Sequence, residues 1–176
     1  MLRAFAEEVG AGPVLEVGCG PGRVAAHLAG LGLDVAGLDL SPGMVEVARR
    51  EHPGLQVDVG DLTALPHPDA SLAGVVAWYS LIHVPTAELP DAVAELARVL
   101  RPGGLLLLAF QVGDTDRVHD RPYGHDVPLV SHRLQPDRVT ALLAASGLEL
   151  EGTLVRQPQG LEPTPQAYLT ARRLTA

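Results

Sequence analysis

The turn Gly18-Cys19-Gly20-Pro21-Gly22 constrains this chain more than any other stretch. It follows the apolar run Val14 to Val17 and precedes Val24, Leu28 and Leu31, which recur at helical spacing. Glycine tolerates the left-handed backbone of a sharp turn and lets the chain approach a ligand closely. A strand passing through such a turn into a helix opens a βα unit. Its turn sits at the carboxyl end of the strand, where open α/β sheets bind their ligands. The helix N-terminus behind it offers free N–H groups and a positive dipole end, suited to a carboxylate or phosphate.

The rest of the chain repeats that alternation. Val35 to Leu40 reads as a second strand, closed by Ser41-Pro42, a helix-start signal with Pro at the first helical position. The helix that follows carries Met44, Val45, Val47 and Ala48 and stops near Pro53-Gly54. Leu55 to Val59 and Leu72 to Tyr79 are further strands, and Leu89, Val93, Leu96 and Leu100 mark an amphipathic helix ended by Arg101-Pro102-Gly103-Gly104. Leu105 to Phe110 is unbroken apolar sequence, as suits a central parallel strand covered on both faces. Residues 111–128 are polar, with Asp114, Asp116, His119 and His125 around Tyr123, and read as a long loop. A helix over Pro136 to Ser146, a strictly alternating edge strand Leu148 to Leu154, a Pro/Gly turn region Gln157 to Pro165 and a short strand Ala167 to Ala171 complete the reading. Ahead of it all, Leu2, Phe5, Ala6 and Val9 have the spacing of one short helix. The pattern predicts an α/β fold in a single domain, 1–176, built on a parallel sheet between helix layers.

Composition removes several function classes. The 176 residues include no Lys, which excludes a P-loop nucleotide site and Schiff-base chemistry. One cysteine, Cys19, permits neither an intrachain disulfide nor a Cys-based zinc cluster. Asp114-x-Asp116 lacks the glycine and terminal glutamate of a calcium loop, so no metal site is expected. A net charge of −8 and six aromatic residues argue against nucleic acid as a partner. No apolar run reaches the roughly 18 residues of a membrane span, and Met1 to Gly12 lacks the pattern of a signal peptide. The chain reads as a cytoplasmic protein with no membrane partner.

Asp39 ends the second strand, 17 residues after Gly22, where an acid can accept both hydroxyls of a ribose. A dinucleotide fingerprint is G-x-G-x-x-G; here the spacing is G-x-G-x-G, without the third glycine in its place. Four segments in order, Val14 to Gly22, Leu38 to Ser41, Gly60-Asp61-Leu62 and Arg98 to Gly104, resemble the class I S-adenosylmethionine-dependent methyltransferases. The resemblance implies a Rossmann-like three-layer sandwich whose seven-stranded, mainly parallel sheet ends in a hairpin with an antiparallel last strand. Residues 14–110 would form the cofactor-binding half, and 111–176 the acceptor-side loop, helix and hairpin. It further implies that Glu16, Gly18, Cys19, Gly20 and Gly22 surround the methionine part of S-adenosylmethionine, and that Asp39 takes the ribose hydroxyls. Leu40 and Met44 would lie against the adenine, Asp61 and Leu62 would bond its edge, and Ala77 and Trp78 would meet the methionine amino end. Two other readings stand beside this one: an NAD(P)-dependent oxidoreductase, and a protein that binds S-adenosylmethionine without catalysis.

Methyl transfer from a sulfonium asks mainly for alignment, worth about 7–11 kcal/mol of barrier. A general base adds roughly 10²–10⁴-fold when the acceptor must lose a proton. His83, just past the fourth strand, is the candidate base. The acceptor is expected to be a small molecule. The chain lacks the Asn/Asp-Pro-Pro-aromatic tetrapeptide of base-N-methylating enzymes and the lysine of ribose methylation, and its one thiol sits in the glycine turn rather than in a nucleophile's place. Only 13 residues precede Val14, so the cofactor cleft is expected to open on one side, with the adenosine exposed unless residues 111–128 or a second subunit of a homodimer covers it.

Overall fold

The protein is described by a computed structural model covering residues 1–119 and 129–175. Tyr123 and His125 lie outside the described residues, as does the side chain of His119. The chain runs α1 (Leu2–Glu8), β1 (Pro13–Val17), α2 (Arg23–Gly30), β2 (Asp34–Asp39), α3 (Pro42–Glu51), β3 (Gln56–Val59) and β4 (Leu72–Trp78). A 3-10 turn (Leu81–His83), α4 (Leu89–Val99), β5 (Leu100–Gln111), the short strands β6 (Arg117–His119) and β7 (Leu129–Ser131), α5 (Pro136–Ala145), β8 (Leu148–Arg156) and β9 (Gln166–Arg173) follow.

Seven strands form one sheet in the order β3-β2-β1-β4-β5-β9-β8. The β1–β2, β1–β4, β2–β3 and β4–β5 pairs are parallel, and β9 runs antiparallel to both its neighbours. Strand order reverses beside β1, so the carboxyl ends of β1 and β4 bound the crevice in which such sheets bind ligands. The expected sandwich with an antiparallel last strand is the observed one.

Side-chain alternation along the strands splits the core in two. Leu15, Val75, Leu106, Leu108 and Phe110 face α4 and α5 in one cluster, while Val14, Val76, Leu105 and Leu107 face the layer of α1, α2 and α3 in the other. Each helix begins where the sequence says it should. In α3 the Ser41 hydroxyl accepts from the Met44 N–H at 3.4 Å and Pro42 takes a first-turn position. In α4 the residues Leu89, Ala92, Val93, Leu96, Ala97 and Val99 are buried.

Three boundaries differ from the sequence reading. Arg101 to Gly104 is not a loop after α4: helix passes directly into β5 at Leu100, and the extra residues bulge between the Leu72↔Leu100 and Gly74↔Leu105 pairs. The polar stretch after Gln111 is only partly loop, because Arg117–His119 pairs antiparallel with Leu129–Ser131. The last strand is longer than Ala167 to Ala171, since its register runs from Gln166 to Arg173 against β8. Polar residues hid both additions, as ladder hydrogen bonds come from the backbone and leave no hydrophobic period.

The amino-terminal helix α1 docks on the sheet through Phe5 and Val9, which are 1% and 3% exposed. Gly74 in β4 makes the seat: a Cβ there would lie 2.5 Å from Val9 and 2.8 Å from Phe5. Phe5→Ala should therefore leave a cavity and cost about 3–5 kcal/mol, read as a drop in unfolding free energy in urea without loss of two-state behaviour.

Candidate active site

The carboxyl ends of β1, β2 and β4 converge on a cleft of about 800 Å³, within the range of small-molecule sites, roughly 300–1,000 Å³. The turn after β1 forms its floor. Gly18, Gly20 and Gly22 have φ of +64°, +52° and +78°. A Cβ on Gly18 would sit 2.4 Å from the Ser80 Cβ, whereas one on Gly20 would meet nothing within 4 Å. Gly18 is thus required by packing, and Gly20 leaves open space above the turn. Three N–H groups of the turn are already bonded within the protein. The Cys19 N–H donates to the Leu38 carbonyl at 3.0 Å and the Gly22 N–H to the Cys19 carbonyl at 2.9 Å. The Gly20 N–H donates to Asp39 Oδ2 at 2.7 Å, and in the first turn of α2 the Ala25 N–H donates to Glu16 Oε2 at 2.6 Å.

Asp39 ends β2 half-buried, with its Oδ1 accepting from the Ser41 N–H at 2.9 Å. Each of its oxygens has one bond and a lone pair to spare. Leu40 and Met44 line the same wall, Leu40 being 69% exposed. Asp61 and Leu62 close the far end; Asp61 is exposed, and its Oδ1 accepts from the Thr63 N–H and hydroxyl, both at 2.8 Å. Among the described residues that end of the cleft stands open to solvent. The segment behind it carries no helix or strand and is fastened to α4 by Arg98. The guanidinium donates to the carbonyls of Leu65 and His67 and to Glu95 and Asp69.

The opposite wall is the chain leaving β4. Trp78, Tyr79 and Ser80 line the cleft, with Val84, Pro85, Glu88 and, from β7, Leu129. Ser80 is 5% exposed and its hydroxyl has no partner, an orphaned polar atom at the cleft wall. His83 also lines the cleft, and its Nδ1 lies 3.1 Å from the Val130 carbonyl. A carbonyl only accepts, so that bond needs Nδ1–H and, in the neutral ring, leaves Nε2 as the acceptor.

Two expected residues stand elsewhere. Ala77 is fully buried in the cluster beneath α4 and does not line the cleft, because one step along a strand turns the side chain to the other face. Gly22 is buried against α3, where a Cβ would meet Ala48, His52 and Leu55 at 3.2–3.3 Å. Its glycine serves the seating of α2 and α3. Glu16, Gly18, Cys19, Gly20, Asp39, Leu40, Met44, Asp61, Leu62, Trp78 and His83 all line the one cleft. Sequence reasoning missed Tyr79, Ser80, Val84, Pro85, Glu88 and Leu129. For Tyr79 and Ser80 the nearness to His83 was a usable signal; for Leu129 none existed.

Burial sets the electrostatics. Glu16 is 2% exposed, and loss of solvent pushes its carboxyl from 4.5 up to about 8, against the pull of the Ala25 N–H and with a further push from Asp39. Cys19 is pushed up to about 12 by burial and by the Glu16 and Asp39 charges, so it is no thiolate nucleophile. Its sulfur packs where a Cβ on Gly37 would lie, 2.8 Å away. Among the described residues no group of three or more His, Cys, Asp or Glu could hold a metal ion, and no helix is long and apolar enough to cross a membrane.

The pattern of the family described as a methyltransferase domain matches residues 14–104, which contain the turn, Asp39, Asp61 and the Arg98 segment. The chain belongs to the class I S-adenosylmethionine-dependent methyltransferases. It is 37% identical over 144 residues to a probable S-adenosylmethionine-dependent methyltransferase of Mycolicibacterium smegmatis, covering 80% of this chain and 53% of that one. The chain spans about half the length of the curated relatives it matches. A solved methyltransferase from Methanosarcina mazei superposes with a TM-score of 0.85 over 98% of both chains, at 20% identity. The Burkholderia thailandensis 1,6-didemethyltoxoflavin-N1-methyltransferase, solved with 1,6-didemethyltoxoflavin and S-adenosylhomocysteine, superposes with a TM-score of 0.77 over 99% of this chain and 77% of that one, at 20% identity.

The methyltransferase cleft suits this family's cofactor on its own evidence: open space above Gly20, spare lone pairs on Asp39 and an unpartnered hydroxyl at Ser80. The state of Glu16 is testable without any ligand. A carboxyl raised in the folded protein contributes stability below its unfolded pKa and loses it as pH rises through the folded value. Urea unfolding between pH 4.5 and 8 should thus show the native chain falling steadily relative to Glu16→Gln, with the two curves parallel above pH 9.

Proposed function

We propose that this domain transfers a methyl group from S-adenosylmethionine to a small-molecule acceptor. One observation carries the reading: a single cleft gathers the Gly18–Gly20 turn, Asp39, Leu40, Met44, Asp61 and Leu62 from three separate strand ends. The cofactor, when bound, supplies a methyl carbon already activated by the sulfonium charge. The protein's work is binding and alignment. Asp39 offers one lone pair from each oxygen to the paired hydroxyls of a ribose. Leu40 and Met44 give an apolar wall for a purine, and Asp61, with Oδ2 uncommitted by Thr63, accepts from its amino group while Leu62 presents its backbone. Gly18, Cys19 and Glu16 take the amino-acid end, beside Ser80 and Trp78.

His83 is the base of this scheme. Its Nδ1–H is held by the Val130 carbonyl, which sets the tautomer in which Nε2 is the basic nitrogen, and the ring lines the cleft where an acceptor would lie. A small acceptor is supported by net charge −8 and by relatives named for small molecules, among them a demethylmenaquinone methyltransferase of Renibacterium salmoninarum, 41% identical over 110 residues. A dinucleotide is the weaker alternative, since the turn reads G-x-G-x-G and has Arg23 where the G-x-G-x-x-G fingerprint needs its third glycine.

S-adenosylhomocysteine at 100 times its Kd should stabilise the fold by about 2.7 kcal/mol, and NADH should not. Asp39→Ala should abolish most of that shift in a thermal melt; a shift with NADH alone would overturn the reading. His83→Ala should lower turnover roughly 10²–10⁴-fold, followed as labelled methyl passing into an acceptor from a metabolite extract, with S-adenosylhomocysteine affinity nearly unchanged. Equal losses in binding and rate would make His83 a wall of the site instead of its base.

A further inference from the structure

Among the described residues only Ala70 and Tyr79 adopt positive φ without being glycine. Tyr79, at +57°, stands where β4 turns into the cleft. For a residue with a Cβ that conformation is strained, because the Cβ crowds the following carbonyl oxygen. The turn after β1 solves the same steric problem with glycine three times. A glycine at 79 would make the reversal without strain, so what distinguishes tyrosine here is its side chain.

That side chain reaches away from the cofactor turn and into the C-terminal hairpin. The Tyr79 hydroxyl lies 3.1 Å from the Tyr168 hydroxyl on β9. Tyr168 accepts from Arg156 Nε at 3.3 Å, and Arg156 is held by Glu162 through two bonds of 2.5 and 2.6 Å. A guanidinium only donates, so the Tyr168 oxygen accepts from Arg156, and between the two phenols either hydroxyl can donate to the other. Trp78 stands edge-on to Tyr79 and tilted over Tyr168, at 5.9 and 5.4 Å between ring centres. The Tyr79 N–H donates to the Ala109 carbonyl at 2.9 Å, and Ala109 is the register partner of Tyr168. Burial, and then the bond to Tyr168, hold the Tyr79 phenol above its ordinary range. Strained backbone persists where its surroundings fix it, and here they do so at both the amide and the hydroxyl.

The next residue gives the strain a consequence. The reversal at Tyr79 sets Ser80 against Gly18, with no room for a Cβ between them, and leaves the Ser80 hydroxyl buried and unpartnered at the cleft wall. Arg156, Glu162 and Tyr168 all lie outside the 14–104 stretch that matches the family. We infer that Tyr79 is a positioning residue for the amino-acid end of the cofactor, braced through its hydroxyl by Tyr168 and the Arg156–Glu162 pair of the C-terminal hairpin. This rests on the cofactor reading above.

Calorimetric titration of Tyr79→Phe, Tyr168→Phe, the double variant and Tyr79→Gly tests it with two probes. One is S-adenosylhomocysteine; the other is 5′-methylthioadenosine, which lacks the amino-acid end. Tyr79→Phe removes the bond between the two phenols and Tyr168→Phe removes it together with the bond from Arg156; each should weaken S-adenosylhomocysteine binding about three- to ten-fold, while 5′-methylthioadenosine binding stays as in the native chain. The double variant should be no weaker than Tyr168→Phe, because that variant has already lost the bond between the two phenols. Tyr79→Gly should also bind S-adenosylhomocysteine more weakly, although its turn is unstrained. Native-like affinity in both Phe variants, or in Tyr79→Gly, overturns the inference, as does an equal loss for both probes. Failure of the unsubstituted chain to bind S-adenosylhomocysteine would remove the cofactor reading itself, and is seen before any variant is made.

Discussion

One carboxylate fixes the relation between the first two strand ends. Asp39 accepts from the Gly20 N–H across the crevice and from the Ser41 N–H at the start of α3. The turn after β1, the end of β2 and the cap of the third helix are therefore set by a single side chain. Glu16 does the complementary task from inside the sheet, holding the first turn of α2 through the Ala25 N–H. With both acids in place the turn needs no ligand to take its shape. The bonds Asp39 accepts are charge-assisted, among the stronger hydrogen bonds of a protein; Glu16, its carboxyl raised to about 8 by burial, holds the Ala25 N–H as a neutral acid at pH 7.

Much of this arrangement was legible in the sequence. The glycine turn, Asp39 and the Ser41-Pro42 cap are local signals, and each forms the element its spacing implies. The apolar runs Val14 to Val17 and Leu105 to Phe110 are central strands because covering helices remove the need for polar alternation. What could not be read was whatever depends on contacts between distant residues. Ala77 and Trp78 are neighbours in sequence, yet one faces the core and the other the cleft. Leu129 reaches the cleft only because β7 folds back beside His83, and β6 and β7 carry no apolar period to announce them. The Tyr79–Tyr168 contact joins residues 89 apart.

The half of the chain that matches the family and the half that does not meet along β5. Towards β1 lie the turn and the acids within the matched stretch; towards β8 lie Tyr168, Arg156 and Glu162 of the hairpin. The β4 exit stands between them and touches both, through Ser80 on one side and the Tyr79 hydroxyl on the other.

The Arg98 clamp has a thermodynamic consequence for the adenine side. Residues 61–70 have no ladder of their own, and a free segment of that length would have to be ordered by its ligand, at roughly 1–2 kcal/mol for each residue fixed. Here Leu65, His67 and Asp69 are tied by one guanidinium to Glu95 on a buried helix. The ordering is completed when the chain folds, so a ligand meets a wall already preorganised and its binding free energy is not spent on assembling it.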